Sequence, residues 1–232
     1  MKIFSLLASL IFLTFSIQGH SQLPPVWNTV HAESLQKDQR ARTYLPPTRI
    51  VWKSHDNNDL IAGEENLLHA GNGQTDLSNS RICVMKSTST EYPSIILDFG
   101  KELQGGIQFV TGMPGSQKPV NIRVRFGESV SETMSDVGIK GATNDHAMRD
   151  FNLALSWLGV REVGNSGFRF VRIDLLDPET ELQLKEVRAI FTYRDIEYKG
   201  SFSCNDERLN KIWMTGAYTV HLNMQEYLWD GI

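Results

Sequence analysis

Short runs of alternating apolar and polar residues fill the middle of the chain. TRIVW at 48–52, SIILDF at 94–99, GIQFV at 106–110, VNIRVRF at 120–126, GFRFVRI at 167–173 and LKEVRAIFTY at 184–193 are rich in β-branched and aromatic residues, and Gly, Pro, Asn and Asp separate them. That punctuation predicts β-strands joined by turns. In VNIRVRF, Val120, Ile122, Val124 and Phe126 fall on one face and Asn121, Arg123 and Arg125 on the other, the pattern of a half-solvated antiparallel strand with a basic outer face. So many short strands predict a mainly β fold, an antiparallel β-sandwich over residues 45–198.

The period changes after Tyr198. From Asn205 to Met224, apolar residues recur at Leu209, Ile212, Trp213, Ala217 and Val220, with Gly216 on the same side, which predicts one C-terminal amphipathic helix about 28 Å long. Ser203 or Asn205 can cap its first turn, and Asp206 and Glu207 stand where the positive end of the helix dipole favours acids. The apolar stripe of this helix requires a partner surface.

A different pattern occupies the start. Residues 1–21 carry Lys2 as their only charge, an apolar run from Ile3 to Ile17, and the small residues Gly19 and Ser21 ahead of Gln22. This is the layout of a cleaved secretory leader, and the run is too short to span a bilayer. Residues 22–44 then read as an N-terminal extension, and the mature protein as a periplasmic or extracellular one with no membrane span.

Composition narrows the partners. The 232 residues are 41% hydrophobic and 22% charged, with a net charge of −4 that becomes −5 once Lys2 is removed with the leader. Lys and Arg are scattered singly, which excludes nucleic acid as a partner. Export permits disulfides, but Cys83 and Cys204 are the only cysteines and their spacing matches no compact disulfide scaffold. Buried or isolated thiols are the expectation.

Candidate chemistry within the sandwich is sparse. GATNDHAMRD at 141–150 gathers Asn144, Asp145, His146 and Asp150, but it lacks the order of a calcium loop and reads as a turn that satisfies its own backbone. Trp52, Tyr92 and Trp157 are the residues that could stack on a sugar, and each is expected in the core. Glu102 near Asp98, and Glu128 near Glu132, are carboxylates close in sequence; they read as solvated strand ends and turns, not as a catalytic pair. His55, His69 and His221 are scattered, no metal set is apparent, and no phosphate loop or cofactor motif occurs.

ILDFGKELQGGI at 96–107, RVRFGES at 123–129, GATNDHAMRD, GFRFVRIDLL and GSFSCNDERLNKIWMTGAYTVHLNMQEYLWDGI at 200–232, taken in order, resemble the bacterial α-L-rhamnosidase family of glycoside hydrolases. The resemblance implies a jelly-roll-like sandwich followed by a catalytic (α/α) barrel, with residues 199–232 as the start of that barrel. It implies rhamnose-containing glycans as substrates of the parent enzyme, hydrolysed with inversion. Inversion needs two carboxyl groups about 6.5–9.5 Å apart on a rigid scaffold. Asp230 matches a family aspartate that binds sugar hydroxyls; no catalytic residue is assigned within the chain, since both family carboxylates come later. The expectation is therefore the N-terminal part of a secreted hydrolase. The alternative is a free-standing exported carbohydrate-binding β-sandwich module, for which an unpartnered apolar helix would have no use.

Overall fold

A computed structural model describes residues 40–55, 59–77, 80–139 and 149–229, all within one compact unit, Gln39–Ile232. Asp230, the leader and most of GATNDHAMRD lie outside the described residues. Nine strands follow in chain order: β1 Arg40–Leu45, β2 Arg49–Lys53, β3 Ile61–Ala62, β4 Cys83–Lys86, β5 Ser94–Thr111, β6 Val120–Gly127, β7 Asp150–Leu155, β8 Val160–Leu175 and β9 Glu181–Arg194. A 3-10 helix at Glu64–Leu68, a short helix α1 at Val130–Met134 and a longer helix α2 at Glu207–Leu222 complete the elements.

Every pairing is antiparallel. SIILDF and GIQFV, two strands on the sequence pattern, are the halves of β5, which bends where its register with β8 shifts, between Asp98 and Leu103 and again between Gly105 and Ile107. The first half of β5 lies between β2 and β8, and β8 continues the layer to β6 and β7. The second half lies between β8 and β9, whose far edge carries β1 and β4 in tandem. Long strands that change layers at irregularities close a sandwich without breaking the hydrogen-bonded sheet. The bend requires glycine at 105, because a Cβ there would lie 1.9 Å from the Ile190 carbonyl oxygen. Residues 40–44, read from the sequence as part of an extension, belong to the sheet through β1.

The layers bury one core. Ile95, Leu97, Ile122, Val124 and Phe126 from the first meet Ile107, Phe109, Leu184 and Val187 from the second, all at most 1% exposed. Phe168 joins them edge-on, with ring centres 5.7 Å from Phe99 and 5.1 Å from Phe126. Full burial of each large side chain stabilises the fold by about 1.5–3 kcal/mol.

Two readings of the outer surface need correction. The alternation in β6 is present, but solvation of its outer face fades along the strand: Asn121 is exposed, Arg123 half-buried and Arg125 4% exposed. It donates to Asp174 at 2.8 Å and Asp136 at 3.2 Å, while Arg123 donates to Asp150 at 2.6 and 2.8 Å. β6 lies between β7 and β8, and their acids neutralise the arginines that alternation alone assigned to water. Nor are the three stacking candidates in the core. Tyr92 and Trp157 are exposed, and Trp52 is half-buried beneath the Arg172 guanidinium, 5.4 Å from its ring centre.

Candidate functional site

Helix α2 and the segment leading to it form the most developed surface feature. The cap is Asp206, one residue beyond the expected Asn205, and its carboxylate accepts the Arg208 N–H at 2.8 Å. Asn210 fixes the approach, since its amide exchanges hydrogen bonds of 2.9 Å with both backbone groups of Cys204. Cys204 and Cys83 are free thiols; burial pushes the Cys83 thiol up to about 12, making it inert.

Polar groups seat α2 on the sandwich. His221 Nε2 lies 2.6 Å from the Arg194 carbonyl oxygen, which can only accept, so that nitrogen carries the proton. In the neutral ring Nδ1 then accepts from the Tyr198 hydroxyl at 2.8 Å. The Tyr218 hydroxyl donates to the Glu102 carbonyl at 2.5 Å, and the Lys101 ammonium sits over both Tyr218 and Phe191. Beyond the helix, Gln225 is 1% exposed and its amide donates to the carbonyls of Thr192 and Leu222, while Arg194 donates to the Gln225 carbonyl.

This seam leaves the apolar stripe outward. Leu209, Ile212 and Val220 are about half exposed, and within α2 only Leu222 is buried. Between the stripe and residues 196–200 runs a cavity of about 520 Å³ lined by Ile196, Tyr198, Trp213, Gly216, Ala217 and Val220. Such a groove can receive apolar side chains; Glu197, Lys199 and His221 also line it, and His221 is engaged by Tyr198 and the Arg194 carbonyl.

Of the four carboxylates near the bend of β5 that the sequence places in solvent, Glu128 is exposed and Glu102 half-buried, but Asp98 and Glu132 are buried. Asp98 is 1% exposed. Burial works to raise its pKa, but Arg169, the Gly100 N–H and Arg49, all donating within 3.0 Å, bring it down to about 2. Burial, then the charge of Glu128, pushes Glu102 up to about 8, against the pull of Arg149. Glu132 is 8% exposed; one oxygen accepts from Arg149 and the other from the Glu128 N–H, both at 2.6 Å. The Ser129 hydroxyl in turn accepts the Glu132 N–H and caps α1, as the S-x-x-E spacing suggests, while the Glu132 carboxylate reaches back one residue further, to the Glu128 N–H.

Two carboxyls with pKa values driven apart are the usual sign of an acid–base pair. Here the oxygens of Asp98 are saturated by donors, and Oε1 of Glu102 is sealed from solvent without a partner. Asp98 therefore has no oxygen left for a substrate, and the two carboxyls do not form a working acid–base pair. Among the described residues no cluster of His, Cys, Asp or Glu is arranged to hold a metal ion, and no helix is long and apolar enough to cross a membrane.

No protein-family model matches the sequence, and no curated protein matches it. Solved structures do. The rhamnosidase from Klebsiella oxytoca with rhamnose bound aligns over 86% of this chain with a TM-score of 0.59 at 19% identity. The GH78 family rhamnosidase of Bacillus sp. GL1 aligns over 72% with a TM-score of 0.55 at 18% identity. This chain covers 38% of the first and 16% of the second. The β-sandwich described above is thus the fold of part of these rhamnosidases, and the chain spans well under half the length of either.

Proposed function

We propose that the chain is the N-terminal part of a secreted α-L-rhamnosidase-like glycoside hydrolase. In this reading α2 is the first helix of a catalytic barrel, the sandwich packs on that barrel, and residues 1–21 are a leader removed on export. Asp230 binds sugar hydroxyls in the assembled enzyme, and the two catalytic carboxyls lie on residues outside this chain. The parent would act on rhamnose-containing glycans.

The observation that carries the proposal is the orientation of α2. Polar contacts from His221, Tyr218 and Gln225 hold the helix against the sheet, while Leu209, Ile212 and Val220 face outward. A binding module complete in itself gains nothing from such a stripe, which favours association. A barrel helix needs one. The fold likeness to part of two rhamnosidases supports the same reading.

The test has two arms. Coding DNA read past codon 232 should continue into an Arg- and Asp-containing segment and then helical repeats; a stop codon in intact intergenic DNA would overturn the proposal. Purified residues 22–232 should fail to hydrolyse a chromogenic α-L-rhamnoside. Turnover would mean that the active site lies in the sandwich, and retention on rhamnose-rich polysaccharide without turnover would favour a carbohydrate-binding module instead.

A further inference from the structure

A second cavity, of about 490 Å³, opens between the end of the 3-10 helix, residues 69–76, Ser80, Arg81 and β9. It shares no residue with the groove at α2. From Lys185 to Arg194, where α2 is seated, is nine steps along β9, about 30 Å of strand.

This cavity is built rather than incidental. The loop at 71–73 packs against the sheet so closely that a Cβ on Gly71 would fall 2.1 Å from a Glu186 carboxylate oxygen, and one on Gly73 1.7 Å from an Arg188 nitrogen. Glu186, 7% exposed, accepts the Gly73 N–H with its two oxygens at 3.0 and 3.3 Å. Arg188, which braces Glu186 from the sheet, is fixed by Gln108 and lies 4.3 Å from the Tyr44 ring centre. A Lys185–Asp76 ion pair pins another wall. The Asn66 amide donates to the carbonyls of Gly63 and Ile82, which sets its orientation and leaves its oxygen uncommitted.

Charge accounting gives the ligand its sign. Lys185 is paired with Asp76, and Glu186 is held by the loop N–H and Arg188. That leaves Arg81, on a left-handed backbone at φ 54, and His69, neither with a partner among the described residues. An unpaired guanidinium lining the same cavity as an imidazole favours a carboxylate, which it can bind with two parallel hydrogen bonds. The remaining wall supplies amides from Asn66 and Asn72 and no apolar side chain larger than Ala70. Most small-molecule sites are largely apolar; a mainly polar one of this size suits a ligand covered in hydroxyls and is too large for a bare anion. We propose that this cavity binds a carboxylate-bearing saccharide, a hexuronate unit of an oligosaccharide, with Arg81 on the carboxylate.

Calorimetric titration of the whole chain with digalacturonate, its dimethyl ester and sodium acetate tests the proposal. Digalacturonate should bind at millimolar concentration or better, the ester and acetate at least tenfold more weakly. Arg81→Ala should weaken binding at least tenfold, Arg81→Lys less, and His69→Ala several-fold. Because Arg81 and His69 are exposed, none of these variants should move the thermal midpoint. Equal binding of the ester, binding no tighter than acetate, indifference to Arg81→Ala, or no binding of digalacturonate would each overturn it. Rhamnoside hydrolysis does not enter the measurement, so the hydrolase reading and this one can fail separately.

Discussion

Glu102 is a residue the fold tolerates in one protonation state. Its Oε1 is buried without a partner, and of the cations that favour its charged form Arg149 is already paired with Glu128 and Glu132 and Arg169 with Asp98. Burial and the charges of Glu128 and Glu132 raise its pKa from the ordinary 4.5 to about 8, so the folded chain holds a proton there that the unfolded chain releases. Stability from this group is complete below pH 4.5 and is lost as pH rises through 8. Glu102→Gln keeps the shape and removes the titration. Chemical denaturation of both proteins from pH 5 to 9 should show the wild type losing stability relative to the variant across that window. Parallel profiles would show that Glu102 ionises without cost.

Among the elements, α2 stands apart because polar groups rather than packing determine its place. His221 is the central clamp, joining the last turn to the end of β9 and to Tyr198. His221→Ala should let the α2 amides exchange with solvent at least tenfold faster while β5 and β8 amides stay protected, since local opening draws only on local contacts. Equal exchange in the two proteins would show that the clamp is redundant. The helix itself was legible in the sequence: apolar positions from Leu209 to Val220 gave the period, and the acids gave the start to within a residue. β6 was legible as a strand, and its alternation identified the core face of Val120, Ile122, Val124 and Phe126. The joining of SIILDF to GIQFV as one bent strand was not, since Gly100, Gly105 and Gly106 read as turn residues in sequence and are a bend in the fold. Nor was the burial of Asp98, Arg125 and Glu132, because the partners that compensate them come from strands distant in the chain. Sequence spacing carries no record of such pairs. The cavity at β9 escaped for the same reason: His69 and Arg81 meet Lys185 and Glu186 only after β4 and β9 pair.

At the scale of the whole molecule the sandwich and the helix make opposite demands on solvent. The sandwich closes its core completely, with Phe109, Phe126 and Phe168 at 0% exposure, and meets water through paired charges. The helix offers Ile212 at 57% and Val220 at 56% exposure on one stripe beside a groove of about 520 Å³. Contiguous apolar surface of this kind drives association unless something covers it. If a barrel is the natural cover, this chain alone must find another, and a second copy is the one always available. Sedimentation velocity should then show concentration-dependent self-association of residues 22–232, abolished by Ile212→Lys with Val220→Lys. Both positions are solvent-exposed, so the circular dichroism and unfolding midpoint should not move. A wild-type chain that stays monomeric at high concentration would mean that the stripe needs no cover, and would remove the physical reason for assigning α2 to a larger helical domain.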